Sequence, residues 1–475
     1  MAAHPADWTA PHPAGLDWRA EEGPPARPPP AELKEWIKEH RITEVECLVP
    51  DMAGIPRGKI LPAAKFLATI DSGTLRLPDS VFGQMVTGAH AETEQTTYQS
   101  PDMVLKPDAE TIRVVPWYQE PTAQVICDCY DREGRPVGVA PRQVLKNILA
   151  KYAARGWKPV VAPELEFYLS QKNLDPDYPL QPPAGKSGRP QTGRQAYGID
   201  AVNEFDPLFE DVYDFCEKQE ISIDSLIHEE GVAQCEINFN HGDPLELADQ
   251  AFLFKRTVRQ AAMRHDIYAT FMAKPYEQEP GSAMHIHQSV TDARGKNLFS
   301  SKAGKDTRLF LAYIAGLQKH LPAVMPLFAP YVNSYRRLVR FLSAPINTHW
   351  GHENRTVGLR IPESSPQSRR VENRVPGADA NPYLALAATL ACGYLGMEDN
   401  LNPTRAMEGN AYASTRFALP RHLLDAIAKF RASGDLREIF GDAFVDLYSD
   451  VKAGEHDAYQ QVISPWERQH LLLNV

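Results

Sequence analysis

At 475 residues the chain has room for roughly two to four domains. Hydrophobic residues at 43% and charged residues at 23% give it the composition of an ordinary globular protein. The 61 acidic residues outnumber the 50 basic ones, and a net charge of -11 argues against a nucleic-acid partner, which wants a basic footprint.

Of six cysteines only Cys127 and Cys129 lie close together. With no second pair and no His cluster nearby they make a poor zinc site and read as strand residues. Sparse, scattered cysteines point to a reducing compartment. The N-terminus lacks a basic segment followed by an apolar run, so no secretory signal is expected. The longest apolar stretch, Tyr383 to Met397, is shorter than the about 20 residues of a membrane span. The expectation is a cytoplasmic protein without a membrane partner.

Residues 1–35 are rich in proline and poor in aliphatics, the composition of a flexible arm that cannot offset its ordering entropy. Residues 36–138 read as a small β-rich domain. Turn residues from Pro50 to Lys59, flanked by β-type residues, predict a hairpin with Arg57 and Lys59 in its turn. A strand over Gln124 to Cys129 precedes the turn Asp131-Arg132-Glu133-Gly134. Residues 139–475 alternate helices with short strands. Asp243-Pro244-Leu245-Glu246 carries the cap, first-position proline and third-position Glu of a helix start. Leu247, Ala251, Phe254, Val258 and Ala261 then recur at helical spacing as a buried stripe. Leu309, Tyr313, Leu317 and Leu321 repeat the pattern before Pro322.

Five short segments carry charged residues two apart, and residues i and i+2 of a strand share a face. Glu164 and Glu166 share one, as do Glu236 and Asn238. His285, His287 and Ser289 line up opposite Met284 and Ile286. Thr356 and Arg360 flank Gly358, and Arg370, Glu372 and Arg374 alternate with Val371, Asn373 and Val375. A half-exposed sheet puts its polar side in water, but such a side shows Lys, Thr, Ser and Gln. Here Glu, His and Arg dominate five separate segments. If the faces converge, Glu164, Glu166, Glu229, Glu236 and Glu372 crowd together with His285. Carboxylates cannot share a dehydrated site as anions without a compensating cation. Oxygen-rich ligation with a single imidazole favours Mg²⁺ or Mn²⁺ over Zn²⁺. Arginines beside such a cluster suit phosphoryl transfer, because they meet charge on the phosphate oxygens. Spacing alone does not identify the acceptor.

Gly281-Ser282-Ala283-Met284-His285-Ile286-His287-Gln288-Ser289 resembles the GSGMHxHxS signature of type I glutamine synthetases, with Ala283 in place of a glycine. Pro163-Glu164-Leu165-Glu166-Phe167, His228 to Glu236, Asn333 to Arg337, Asn354-Arg355, and Arg370 to Arg374 followed by Ala380 to Tyr383 fall in that family's order. Further segments, among them Val45 to Asp51, Thr270 to Glu277, Trp350 to Arg355 and Val375 to Tyr383, are similar to the γ-glutamylputrescine and related γ-glutamylpolyamine synthetases of that superfamily.

The resemblance implies an α+β fold: a small β-grasp N-terminal domain, then a glutamine synthetase-type catalytic domain with an antiparallel sheet flanked by helices. It implies self-association into a ring homo-oligomer, a dodecamer of two stacked hexamers. Carried over by position, one metal sits on Glu166, Glu229 and Glu236, the other on Glu164, His285 and Glu372. ATP meets Asp224, His287, Ser289, Arg355 and Arg360, and L-glutamate meets Gly281, Arg337 and Arg374. The implied reaction phosphorylates the γ-carboxylate, with Arg355 and Arg360 stabilising the transferring group, and an amine then attacks.

Two departures bear on the amine. Pro78 replaces an Asp of the ammonium site, with Asp79 one residue along, and Ser343 stands where the flap carries a Glu. Asp79 and Glu229 are the candidates for deprotonating the amine. The expected product is a γ-glutamyl amide of putrescine or another polyamine. The alternatives are an authentic glutamine synthetase using ammonium, a ligase for a monoamine such as ethanolamine, and a non-catalytic scaffold.

Overall fold

The computed structural model describes residues 33–91, 100–340 and 343–475. Most of the proline-rich arm expected over residues 1–35 lies outside them. Two sheets organise the chain.

The first sheet contains β1 (Glu44–Pro50), β2 (Pro56–Pro62), β3 (Arg76–Pro78), β4 (Asp102–Pro107), β5 (Arg113–Val114) and β6 (Thr122–Tyr130), in the order β2-β1-β6-β4-β3 with β5 also on β6. β1 and β2 form the expected hairpin, with Pro50 opposite Pro56. Arg57 and Lys59 belong to β2 rather than to its turn, and Arg57 Nε donates to Asp51 Oδ2 at 2.7 Å. The parallel pairing of β1 with β6 places these two strands at the centre. There Cys47, Cys127 and Cys129 are buried as small apolar side chains.

The second sheet contains β7 (Lys158–Gln171), β8 (Ile223–His228), β9 (Gln234–Phe239), β10 (Ile267–Thr270), β11 (Met284–Thr291), β12 (Trp350–His352), β13 (Leu359–Ile361) and β14 (Val371–Asn373). Its order is β12-β13-β14-β11-β7-β9-β8, with β10 also on β7. The five segments with charged faces are therefore five consecutive neighbours, β13 to β9. Arg370 and Arg374 flank β14 directly, and Thr356 is displaced further from its strand. It precedes β13, and its hydroxyl bonds Asn354 Oδ1 at 2.7 Å instead of joining the strand face.

The apolar side chains of these strands, Leu165, Phe167, Cys235, Ile237, Ile286, Leu359 and Val371 among them, point into one core. Helices cover that side. The Pro244–Arg264 helix starts where its cap predicts, with Asp243 Oδ1 accepting from the Leu245 and Glu246 amides, and its apolar stripe is buried throughout. The Arg308–Val324 helix runs through Pro322 rather than stopping before it. Pro322 has no amide to give the Gln318 carbonyl, which accepts from Thr348 Oγ1 at 3.3 Å instead. This helix crosses the Pro382–Glu398 helix at Gly316 and Gly396. A Cβ on Gly316 would lie 2.6 Å from Gly396 Cα, so only glycines allow the approach. No helix among the described residues is long and apolar enough to cross a membrane.

Arg142, on the Pro141–Ala154 helix, ties the first sheet to the Pro244–Arg264 helix. Its guanidinium donates to Asp249 Oδ1 and Oδ2, to Asp128 Oδ1 on β6 and to Asp108 Oδ2, all within 2.7–2.9 Å.

Candidate active site

The strand registers put the charged residues opposite one another. Glu164 on β7 pairs with His285 on β11 and Asn238 on β9, and Glu166 pairs with Glu236. Glu372 on β14 pairs with His287 on β11 and Arg360 on β13. The polar faces thus meet on one side of the sheet while the core lies on the other.

Three groups of side chains bring ligand atoms within 4.8 Å of one another: Glu166, Glu229 and Glu236; Glu164, Glu236 and His285; and Glu164, His287 and Glu372. The first is the set expected for one metal. The second set expected, Glu164, His285 and Glu372, is present as a looser cluster, with His285 Nδ1 3.4 Å from Glu164 Oε2 and 3.9 Å from Glu372 Oε1. His287, expected at the nucleotide, is drawn into the carboxylates. Its Nε2 lies 2.7 Å from Glu164 Oε1, and Arg370 Nε donates to its Nδ1 at 3.1 Å. Arg370 thereby makes Nδ1 the acceptor and Nε2 the donor.

The electrostatics suit a divalent cation. Burial, and next the Glu229 charge, push the Glu166 carboxyl up to about 8. Burial together with Glu166, Glu164 and Glu229 pushes Glu236 well above the carboxylate range, and burial raises Glu229 as well. Burial opposes ionisation of Glu164 too, but hydrogen bonds from His285 and His287 outweigh it and hold its carboxyl well down. Glu372 is likewise opposed by burial, yet Arg374 and the two histidines hold it down to about 2. Burial and then Arg374 lower His285 to about 4, which keeps its imidazole neutral and free to ligate. Hard oxygen donors with neutral imidazole suit Mg²⁺ or Mn²⁺.

The arginines frame the cluster. Glu372 is gripped from two sides, by Arg360 Nη1 at 2.8 Å and Arg374 Nη1 at 2.6 Å. Arg360 also reaches Glu353 Oε2 at 2.9 Å. The Nε atoms of both Arg360 and Arg374 are buried without a partner among the described residues, which leaves donors for an anionic substrate. Arg355 is exposed in the turn before β13, and its charge reaches Glu229.

The remaining expected residues are placed as follows. Ser289 is half-buried on β11, two residues along from His287. Asp224 is exposed on the edge strand β8, at an irregularity in its register with β9. Gly281 packs against Arg337, and a Cβ there would lie 2.4 Å from Arg337 Cγ. Arg337 is buried with its Nη atoms on the Val375 and Arg374 carbonyls, at 2.8 and 3.0 Å. It braces the segment that carries Arg374. Asp79 is not brought to the cluster. It sits on a 3₁₀ turn of the first sheet's domain, where Ser100 Oγ donates to it at 2.9 Å. That turn packs against the Asp442–Gln460 helix.

Further groups support the carboxylates. Gln234 and the Ala283 amide both donate to Glu166 Oε2, at 3.3 and 2.8 Å. His228 donates to the Glu229 backbone carbonyl at 2.7 Å and meets Gln191, so it fixes the turn and not the Glu229 carboxylate. Arg336 reaches Tyr459 Oη at 2.7 Å and stays outside the site.

Family comparisons agree with this geometry. The model described as "Glutamine synthetase, catalytic domain" matches residues 138–471, and "Glutamine synthetase, beta-Grasp domain" matches residues 90–132. The chain belongs to the glutamine synthetase family. Its architecture is a β-grasp N-terminal domain followed by a glutamine synthetase catalytic domain.

Among curated relatives, gamma-glutamylputrescine synthetase PuuA of Escherichia coli (strain K12) is 36% identical over 93% of this chain and 94% of its own. A glutamate–isopropylamine ligase from Pseudomonas sp is 32% identical over 92% and 96%, and a Halobacterium salinarum glutamine synthetase is 33% identical over 79% and 84%. Among solved structures, "Apo GmaS without ligand" superposes with a TM-score of 0.79 at 28% identity, over 93% of this chain and 99% of that one. This glutamine synthetase family member is a glutamate–amine ligase. Enzymes of the family use ATP and divalent metals.

Proposed function

We propose that this ligase joins the γ-carboxylate of L-glutamate to a primary amine group of putrescine or another polyamine, at the cost of ATP. The observation that carries the reading is the amine side of the site. By the resemblance to glutamine synthetases, Pro78 and Ser343 fall at positions where ammonium-using members carry anions, while every metal-cluster carboxylate is present. The 36% identity to a putrescine-using relative over nearly the whole chain supports the same reading.

Two divalent ions, Mg²⁺ or Mn²⁺, fit on Glu166, Glu229 and Glu236 and on Glu164, His285 and Glu372, with His287 on Glu164. When bound, they neutralise the carboxylates and polarise the phosphate oxygens. Arg360 and Arg355 face the transferring phosphoryl group, and Arg374 faces glutamate. Asp224 and Ser289 meet the nucleotide, and Gly281 with Arg337 shapes the glutamate end. A free alkyl amine is protonated near neutral pH, as lysine is, with a pKa of about 10. Glu229 stands at the cluster as the group to take that proton before attack on the γ-glutamyl phosphate. Asp79 can share this role only from a neighbouring subunit, and a ring-shaped dodecamer supplies such a neighbour. The enzyme works in the cytoplasm.

Incubating the enzyme with glutamate, ATP, Mg²⁺ and putrescine, with mass detection of the product, tests the reading. A γ-glutamylputrescine product with equimolar ADP and phosphate is expected. Turnover of ATP that yields glutamine alone, with ammonium and putrescine both present, refutes it.

A further inference from the structure

The β8–β9 turn carries two adjacent carboxylates with different surroundings. Glu229 is half-buried and belongs to the Glu166–Glu236 cluster, while Glu230 is exposed. The turn is held in place. The Glu229 amide donates to the Gln234 carbonyl at 2.8 Å, the Glu230 amide donates to Glu229 Oε2 at 3.2 Å, and Ala233 takes a left-handed φ of 52°. The carboxylates therefore descend in order: Glu230 at the rim, Glu229 below it, and Glu166 with Glu236 buried.

Glu230 is also fixed from outside the turn. Ser343 Oγ donates to its Oε2 at 2.7 Å, and the Ser343 carbonyl accepts from Arg374 Nη2 at 3.4 Å. Arg374 in turn holds Glu372. Ser343 adopts φ 58°, a left-handed conformation that a non-glycine residue takes at a cost. A solvated surface carboxylate needs no such brace. Glu279, an acidic group that meets this turn from the segment before β11, accepts from the Val232 amide and is neutralised by Arg194 at 3.0 Å. Among the described residues Glu230 has no ion-pair partner and no donor on Oε1.

We infer that Glu230, braced by Ser343 at the rim above Glu229, binds the distal ammonium group of a di- or polyamine whose other nitrogen reaches the metal cluster. This rests on the polyamine reading above. A diamine entering with its reacting nitrogen at Glu229 must leave its second cation further out. The next anion outward along this turn is Glu230. A monoamine of the same length has nothing to place there.

The test compares kcat/KM for putrescine and for butylamine, which lacks only the second nitrogen, in wild type, Glu230→Gln and Glu230→Lys. An exposed ion pair contributes about 0.2–1 kcal/mol. Glu230→Gln is therefore expected to lower the putrescine-to-butylamine ratio by up to about fivefold, through KM for putrescine, and Glu230→Lys to lower it further. Thermal melts confirm that both variants fold. A ratio unaltered in both variants, or an equal loss for both amines, overturns the assignment of Glu230. A wild-type enzyme that prefers butylamine overturns the polyamine reading itself, and this inference with it.

Discussion

His287 donates to Glu164 across β7 and β11 at 2.7 Å, while Arg370 donates to the other nitrogen of the same ring. The imidazole is thereby locked in one tautomer against a carboxylate shared by two of the three ligand clusters. Groups that orient metal-binding carboxylates typically change metal affinity 10- to 100-fold when removed. His287→Ala is expected to raise the Mn²⁺ or Mg²⁺ concentration for half-maximal activity by about that factor. A titration in which only KM for ATP moves would return His287 to the nucleotide.

Glu372 lies between Arg360 and Arg374 and is almost fully buried. Removing one partner of a buried ion pair costs about 3–5 kcal/mol, because the charge left behind stays desolvated. Glu372→Ala should abolish ligation and lower the melting temperature. Glu372→Gln keeps the shape, so it isolates the chemistry: it should be folded and inactive. An active Glu372→Gln enzyme would remove Glu372 from the metal set.

The pH dependence of metal binding follows from Glu166. Its carboxyl is raised to about 8 in the folded chain against an ordinary 4.5, so the native state holds a proton the unfolded state has lost. Between these values stability of the metal-free protein falls as pH rises. A divalent cation must displace that proton. Melting curves in EDTA should drop from about pH 5 to about pH 8, and the gain in melting temperature on adding Mn²⁺ should be larger at about pH 8 than at about pH 6. An equal gain at both would contradict this placement of the charge.

Gly281 tests the packing beneath the site. A methyl group there meets Arg337 Cγ at 2.4 Å and the Ala273 carbonyl oxygen at 2.5 Å. Overpacking of this kind costs about 1–3 kcal/mol. Because Arg337 holds the Arg374 carbonyl, Gly281→Ala should also raise KM for glutamate. Wild-type stability and KM in this variant would show that Arg337 yields freely.

The alternating faces of β7, β9, β11, β13 and β14 were legible because strand periodicity reports which residues share a side. Glu164, Glu166, Glu236, His285 and Glu372 were found in this way, and the Asp243 cap and the stripe after it by helical spacing. Periodicity carries no information about which strand neighbours which. The sequence therefore could not say that His287 would face Glu372 in register and bond Glu164. Gln234 shares the β9 face of Glu236, two residues on, so strand spacing reaches it, whereas the Ala283 amide supports Glu166 from an isolated bridge where no repeat exists to read. Thr356 lies outside its strand, in a turn where its backbone amide donates to Asn354 Oδ1 at 2.9 Å. Glu230 gave no signal of its own, since its brace, Ser343, is 113 residues away. Asp79 lies away from the cluster, on the 3₁₀ turn of the first sheet's domain, a placement that local spacing does not report.

The central claim, that this is a polyamine ligase built on glutamine synthetase chemistry, is tested most directly by initial rates with glutamate, ATP and Mg²⁺ against putrescine, spermidine, ethanolamine, isopropylamine and ammonium. The account predicts that kcat/KM for putrescine or spermidine exceeds that for ammonium by about tenfold or more, a difference of about 1.4 kcal/mol in transition-state stabilisation. Comparable rates with ammonium, or turnover with none of the amines, would contradict it.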